Sequence, residues 1–328
     1  MTAHHLTRRG FTAVLACTAF SRVACAQSVP AAFPQKPLTL IVPFSAGGPV
    51  DVLGRLLAQD YQARSGHAAT VENKTGGAGN IGIDFVRKAA PDGTTLLLIP
   101  AGNLTINPTL MKSLSFDVER DFAPITLLAS APNIIIASPK LGVKTIADLI
   151  ALAKTRKISY GSPGVGSQLH LAMELLKEKA GIDLLHVPYR GSTQALNDLL
   201  GDHIDLLATN VTAALPALQG KTVVPLAMTT AERSAQLPDV PTLKESGIDG
   251  IDVTSWYGLL APRAVPNDVR DAIFTVTKDI LSNPAVQDKL KAQGLTVVLE
   301  PPAQFAERIR RETALWAGVI KSRNIPLQ

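Results

Sequence analysis

Residues Leu38–Leu57 read L-T-L-I-V, P-F-S-A-G-G-P-V-D, V-L-G-R-L-L. The first part is an apolar, β-branched run of strand length. The last part sets Leu53, Leu56 and Leu57 at helical spacing. Gly47 and Gly48 between them let the backbone turn tightly and approach a ligand closely, because they carry no Cβ. A strand that feeds a glycine turn at a helix N-terminus leaves amide N–H groups unpaired beneath a positive dipole end. Such a turn attracts anions.

The same grammar returns at Ile158–Leu176, with I-S-Y-G, S-P-G-V-G-S-Q and a helix carrying Leu169, Ala172, Met173 and Leu176 on one face. One such loop is as readily plain turn chemistry with an N-cap. Two of them, far apart in the chain, suggest half-sites that close on one anionic ligand.

The chain has 328 residues, 46% hydrophobic and 18% charged, which fits two soluble domains. Its net charge of +5 does not point to nucleic acid. Met1–Ala26 contributes Arg8, Arg9 and Arg22 with no acidic residue, and no Lys/Arg cluster interleaved with aromatics follows. That segment reads as an export signal: paired arginines, the apolar Phe11–Phe20, and Ala24-Cys25-Ala26 before Gln27. The arginine pair suggests twin-arginine export, with an ordinary secretory signal as the alternative. Cleavage after Ala26 would remove both cysteines, Cys17 and Cys25, and leave no thiol chemistry.

Downstream, short apolar runs alternate with amphipathic ones: strands at Ala69–Glu72, Thr94–Ile99, Leu184–Val187, Ile204–Ala208 and Val223–Met228, with helices between. The alternation argues for α/β domains with mostly parallel sheets. Ile125–Ala137, with Ala131-Pro132 inside it, reads as one crossing between domains, and Asp252–Ala261 as the return.

Several motifs fail. Gly77–Gly82 spells G-x-G-x-x-G, but Asn73–Gly76 separates it from the strand, and Asn103-Leu104-Thr105 stands where an acidic residue would be required. Gly161–Ser167 outlines a phosphate loop, yet Gln168 occupies the lysine position. His67, His170, His186 and His203 lack metal-ligand spacing. Ser167 and His170 lack a nucleophile elbow. Neither cofactor nor metal is expected, and no catalytic set emerges.

Taken in order, P-F-S-A-G-G-P-V-D (Pro43–Asp51), V-E-N-K-T-G-G-A-G-N-I-G (Val71–Gly82), A-P-D-G-T-T-L-L-L (Ala90–Leu98), Y-G-S-P-G-V-G-S-Q-L-H-L (Tyr160–Leu171), V-P-Y-R-G (Val187–Gly191) and W-Y-G-L-L-A-P (Trp256–Pro262) carry a resemblance. From about Pro34 onward the chain resembles the extracytoplasmic receptors of tripartite tricarboxylate transporters, the Bug-type receptors. The resemblance implies a two-lobed α/β Venus-flytrap fold. A small organic carboxylate would be trapped between lobes in the periplasm and delivered to the membrane permease subunits. On this reading lobe 1 is 27–130 plus 251–328 and lobe 2 is 131–250, with hinges near 125–137 and 252–261. A monomer is expected. A ligand sensor for a signalling partner is the first alternative, and an exported enzyme acting on a carboxylate the second.

The resemblance also places one ligand carboxylate on amides of both loops: Phe44, Ala46, Gly47 and Gly48 from one, and Gly164, Val165, Gly166 and Ser167 from the other. Ser45 stands where relatives usually have proline and would add a hydroxyl. G-G-A-G at Gly76–Gly79 departs from the usual G-A-G-G. Candidates for the ligand's far end are Asp51, Asn80, Asn103, Tyr189, Arg190, Asn210 and Trp256. Arg190 would pair a distal carboxylate or else sit in a surface or interlobe ion pair. Trp256 would stack on an aromatic ligand or pack in the core.

Overall fold

The computed structural model describes Thr2, residues 29–322 and residues 325–327. Apart from Thr2, the expected export segment 1–26, with Cys17, Cys25 and the cleavage point, lies outside the described residues.

Two sheets organise the chain. The first holds β1 (Leu38–Val42), β2 (Ala69–Asn73), β3 (Thr95–Pro100), β4 (Phe122–Ala131), β10 (Ser255–Pro262) and β11 (Thr296–Glu300), in the order β11-β4-β10-β3-β1-β2. The second holds β5 (Asn133–Ala137), β6 (Ser159–Ser162), β7 (Leu185–Pro188), β8 (Leu206–Asn210) and β9 (Val224–Met228), ordered β7-β6-β8-β5-β9. Only Pro132 separates β4 from β5, so the chain passes between sheets there and returns ahead of β10. The passages are wired together. Asn133 Nδ2 donates to the Val253 carbonyl at 3.0 Å, the Val253 N–H donates to Thr229 at 2.8 Å, and the Thr229 N–H donates to Asn133 at 3.0 Å.

The sheets are mixed, not mostly parallel. Among the described residues four pairings are parallel and five antiparallel. The crossing strands bring in the antiparallel pairings: β10 runs against β3 and β4, and β5 against β8 and β9, directions that their apolar pattern does not encode. Each βαβ half keeps its parallel core, β2-β1-β3 and β7-β6-β8. The central strand β10 is buried along its whole length, which explains its unbroken apolar run. Phe305 lies so close over Gly258 that a Cβ there would fall 2.3 Å from the ring. A small residue at that position lets the ring reach the sheet.

Other elements differ from the sequence reading. The stretch after β3 folds into two short helices, Ala101–Thr105 and Asn107–Leu110. Residues after β8 form Val211–Gln219, a helix that Pro216 conceals in the sequence. The last helix, Pro302–Ser322, puts Phe305 and Ile309 into the core of the first sheet and Trp316 and Ile320 into that of the second. It is a third connection between the two halves.

Candidate functional site

Four helices of eight residues or more begin on one cavity between the sheets: Pro49–Ser65, Gln168–Ala180, Ser192–Leu200 and Val211–Gln219. Gly48 and Pro49, Ser167 and Gln168, Gly191 and Ser192, and Asn210 all line it. Gly48, Gly191 and Asn210 supply no side-chain cap. First-turn N–H groups find no acceptor inside their own helix, so the cavity collects unpaired donors and positive dipole ends. Its volume is about 60 Å³, and Phe44, Val50, Pro100, Pro163, Val165 and Leu169 supply apolar walls. No Lys, Arg or His lines it. An anion held here would be bound by peptide dipoles and hydroxyls.

Of the sequence candidates, Phe44, Ser45, Gly48, Asp51, Asn103, Gly164, Val165, Ser167 and Asn210 line the cavity. Ala46, Gly47, Asn80, Gly166, Tyr189, Arg190 and Trp256 do not. The geometry gives several of them other work. The Gly47 N–H donates to Asp51 at 2.9 Å, Gly164 to Ser162 Oγ at 3.2 Å, Gly166 to His170 Nδ1 at 3.4 Å and Ser167 to the Gly164 carbonyl at 3.2 Å. These amides, expected on a ligand, hold the loops in shape. Tyr189 donates its hydroxyl to Asp198 at 2.7 Å. Arg190 is exposed; its carbonyl accepts from the Ser45 N–H at 3.1 Å. Trp256 packs edge-on against Phe305 and donates Nε1 to Glu312 at 2.8 Å, so its role is core packing. Asn103 donates to the Ala78 carbonyl at 2.7 Å, and Asn210 to Asn133 Oδ1 at 2.6 Å.

Asp51 is a brace. Its carboxylate accepts from Gly47 N–H, from Arg55 at 2.8 and 3.0 Å, and from Asn73 at 3.0 Å; Asn73 also donates to the Phe44 carbonyl. Burial alone would raise its pKa, but the bonds from Arg55, Gly47 and Asn73, with the Arg55 charge, bring it below the ordinary value. Asp51→Ala is expected to cost about 2–3 kcal/mol, because a charge-assisted network and its buried donors lose their acceptor. Urea midpoints of both proteins would measure this; an unchanged midpoint would mean the loop holds itself.

Sequence reasoning missed Ala78, Gly102, Gln168, Gly191, Ser192, Ser255 and Tyr257, all cavity residues. Gly191 had a legible signal, a glycine after Y-R at a strand–helix turn. It has a φ of +147°, and a Cβ there would lie 2.3 Å from Ser45 Oγ. The two halves touch here and elsewhere around the cavity. Thr193 Oγ1 donates to the Ala46 carbonyl at 3.1 Å, and a Cβ on Gly102 would lie 2.3 Å from the Gly166 carbonyl oxygen. The cleft is closed.

Residues 53–325 match the tripartite tricarboxylate transporter family receptor. The chain belongs to this family. The receptor is 32% identical to protein BugT of Bordetella pertussis over 90% of its own length and 92% of BugT. Among solved structures it is similar to an R. palustris protein with adipate (TM-score 0.86, 32% identity, 89% of this chain and 99% of that one). MatC from Rhodopseudomonas palustris with bound malate also matches (TM-score 0.83, 28% identity, 88% and 100%). No helix among the described residues is long and apolar enough to cross a membrane.

Proposed function

We propose that this receptor binds a small organic carboxylate in the closed cleft, in the periplasm, after removal of residues 1–26, and presents it to membrane permease subunits. The convergence of four helix N-termini on a cavity without a cationic side chain carries this reading. It favours an anion and suits one that must be released again, since no ion pair has to be broken. The amides still open to a ligand are those of Phe44, Gly48 and Val165 and of the helix first turns, apart from His170 N–H, which goes to Ser167 Oγ, and Val211 N–H, which goes to the Pro132 carbonyl. Ser45 Oγ, buried without a hydrogen-bond partner, adds a hydroxyl. Ligands of structural relatives, adipate and malate, are carboxylates and support the same class. Opening would occur about Pro132 and the strand entering β10.

A thermal-shift screen tests this. The purified protein would meet mono-, di- and tricarboxylates, acidic amino acids and neutral sugars. A carboxylate at about 100 times its Kd stabilises by about 2.7 kcal/mol and moves the midpoint by several degrees. A response to sugars and to no carboxylate would overturn the proposal.

A further inference from the structure

Tyr257 lies on β10 and lines the cavity, yet it is only 2% exposed. Its hydroxyl has no partner of ordinary hydrogen-bond geometry among the described residues, the Ser255 side chain, also on the cavity wall, being a looser polar contact. A buried hydroxyl without a well-formed hydrogen bond costs free energy, so its retention beside a ligand cavity calls for a partner that arrives later. Burial holds the phenol neutral, the Ser255 side-chain contact opposing this without reversing it, so it stays a donor at any physiological pH. Ser45 Oγ, also without a partner, lines the same cavity. The one carboxylate among the lining side chains, Asp51, is already occupied by Gly47, Arg55 and Asn73.

We infer that Tyr257 is a specificity-determining residue, its hydroxyl donating to a second oxygen function of the ligand: a hydroxyl, keto or further carboxylate oxygen beyond the carboxylate held by the helix N-termini. This rests on the carboxylate-receptor reading. Helix N-termini cannot distinguish a plain alkanoate from a substituted one; a fixed phenol in the cavity wall can. A ligand lacking that oxygen leaves the phenol buried and unpaired, which is the arrangement by which a polar site rejects an analogue.

The test compares butanoate, 4-hydroxybutanoate and succinate by calorimetric titration of the full protein and its Tyr257→Phe variant, alongside the ligand-free melting midpoint. The expected result is that wild type prefers an oxygen-bearing probe over butanoate by about tenfold or more, and that the variant loses this preference while binding butanoate as before. The ligand-free midpoint of the variant should be unchanged or higher, since an unpaired buried hydroxyl has been removed. A preference that survives in the variant, or a ligand-free midpoint lowered by several degrees, would overturn the assignment, the latter because it would place the hydroxyl's partner inside the protein. A wild type deaf to all three probes would instead remove the carboxylate reading itself, and this one with it.

Discussion

Gly102→Ala is expected to weaken carboxylate binding by about 100-fold, or about 2.8 kcal/mol, with the ligand-free melting midpoint nearly unchanged. In the closed structure a Cβ on Gly102 would sit 2.3 Å from the Gly166 carbonyl oxygen, 3.1 Å from Ser167 Cα and 3.3 Å from the Gln168 nitrogen. All three are backbone atoms of the facing loop and cannot swing aside as a side-chain tip would. Overpacking of this kind costs about 1–3 kcal/mol. Gly102 does not adopt a left-handed conformation, so alanine meets no backbone strain in helix Ala101–Thr105 and suits it better than glycine. The cost therefore falls on the closed state alone. Titration with the carboxylate that shifts the midpoint furthest, together with small-angle scattering for compaction, would measure it. Wild-type affinity with wild-type compaction would show that this approach is not part of closure.

The same contact shows where sequence stops informing. Leu38–Leu57 announces β1, its glycine turn and the following helix because strand, turn and amphipathic periods succeed one another locally. The loop at Gly161–Ser167 is legible for the same reason. Gly102 is illegible: it meets Gly166 and Ser167 only because two sheets face each other, and no local pattern encodes that distance. Tyr257 is hidden likewise, since in W-Y-G-L-L-A-P it reads as one more apolar strand residue, and only burial without a well-formed hydrogen bond marks its hydroxyl. Arg190 shows the opposite error. A guanidinium near a presumed anion site attracts attention, whereas the fold uses its backbone carbonyl and leaves the side chain exposed. Likewise the loop glycines are needed more for their shape than for their amides: Gly47 and Gly166, with φ of +81° and +76°, spend their N–H groups inside the loop.

Acidification is expected to loosen the second loop before it affects the first. His170 and His186, sixteen residues apart in sequence, stack at 4.3 Å, with Tyr160 against His186 at 4.8 Å. Burial, and then the Lys177 charge, lower the His170 pKa to about 4. Burial and the neighbouring His170 lower His186 to about 3, with Glu174 opposing and Lys177 assisting. Glu174 is itself occupied by Tyr160 and Lys177, so it offers little to a newly charged ring. An unfolded histidine titrates near 6.5. Between that value and about 4 the unfolded chain therefore binds more protons than the folded one. Stability is complete above the unfolded pKa and falls as the pH drops through this window, by an amount on the order of 3 kcal/mol for His170. Asp51, whose pKa is lowered, holds the first loop until lower pH. Once His170 is charged, its Nδ1 can no longer accept from the Gly166 N–H, so the loop and the ligand should be lost together. Urea midpoints and carboxylate affinity at pH 7 and pH 4.5, for wild type and His170→Gln, would decide this. The variant should start less stable and lose less on acidification; an equal loss in both would assign the acid sensitivity to other groups.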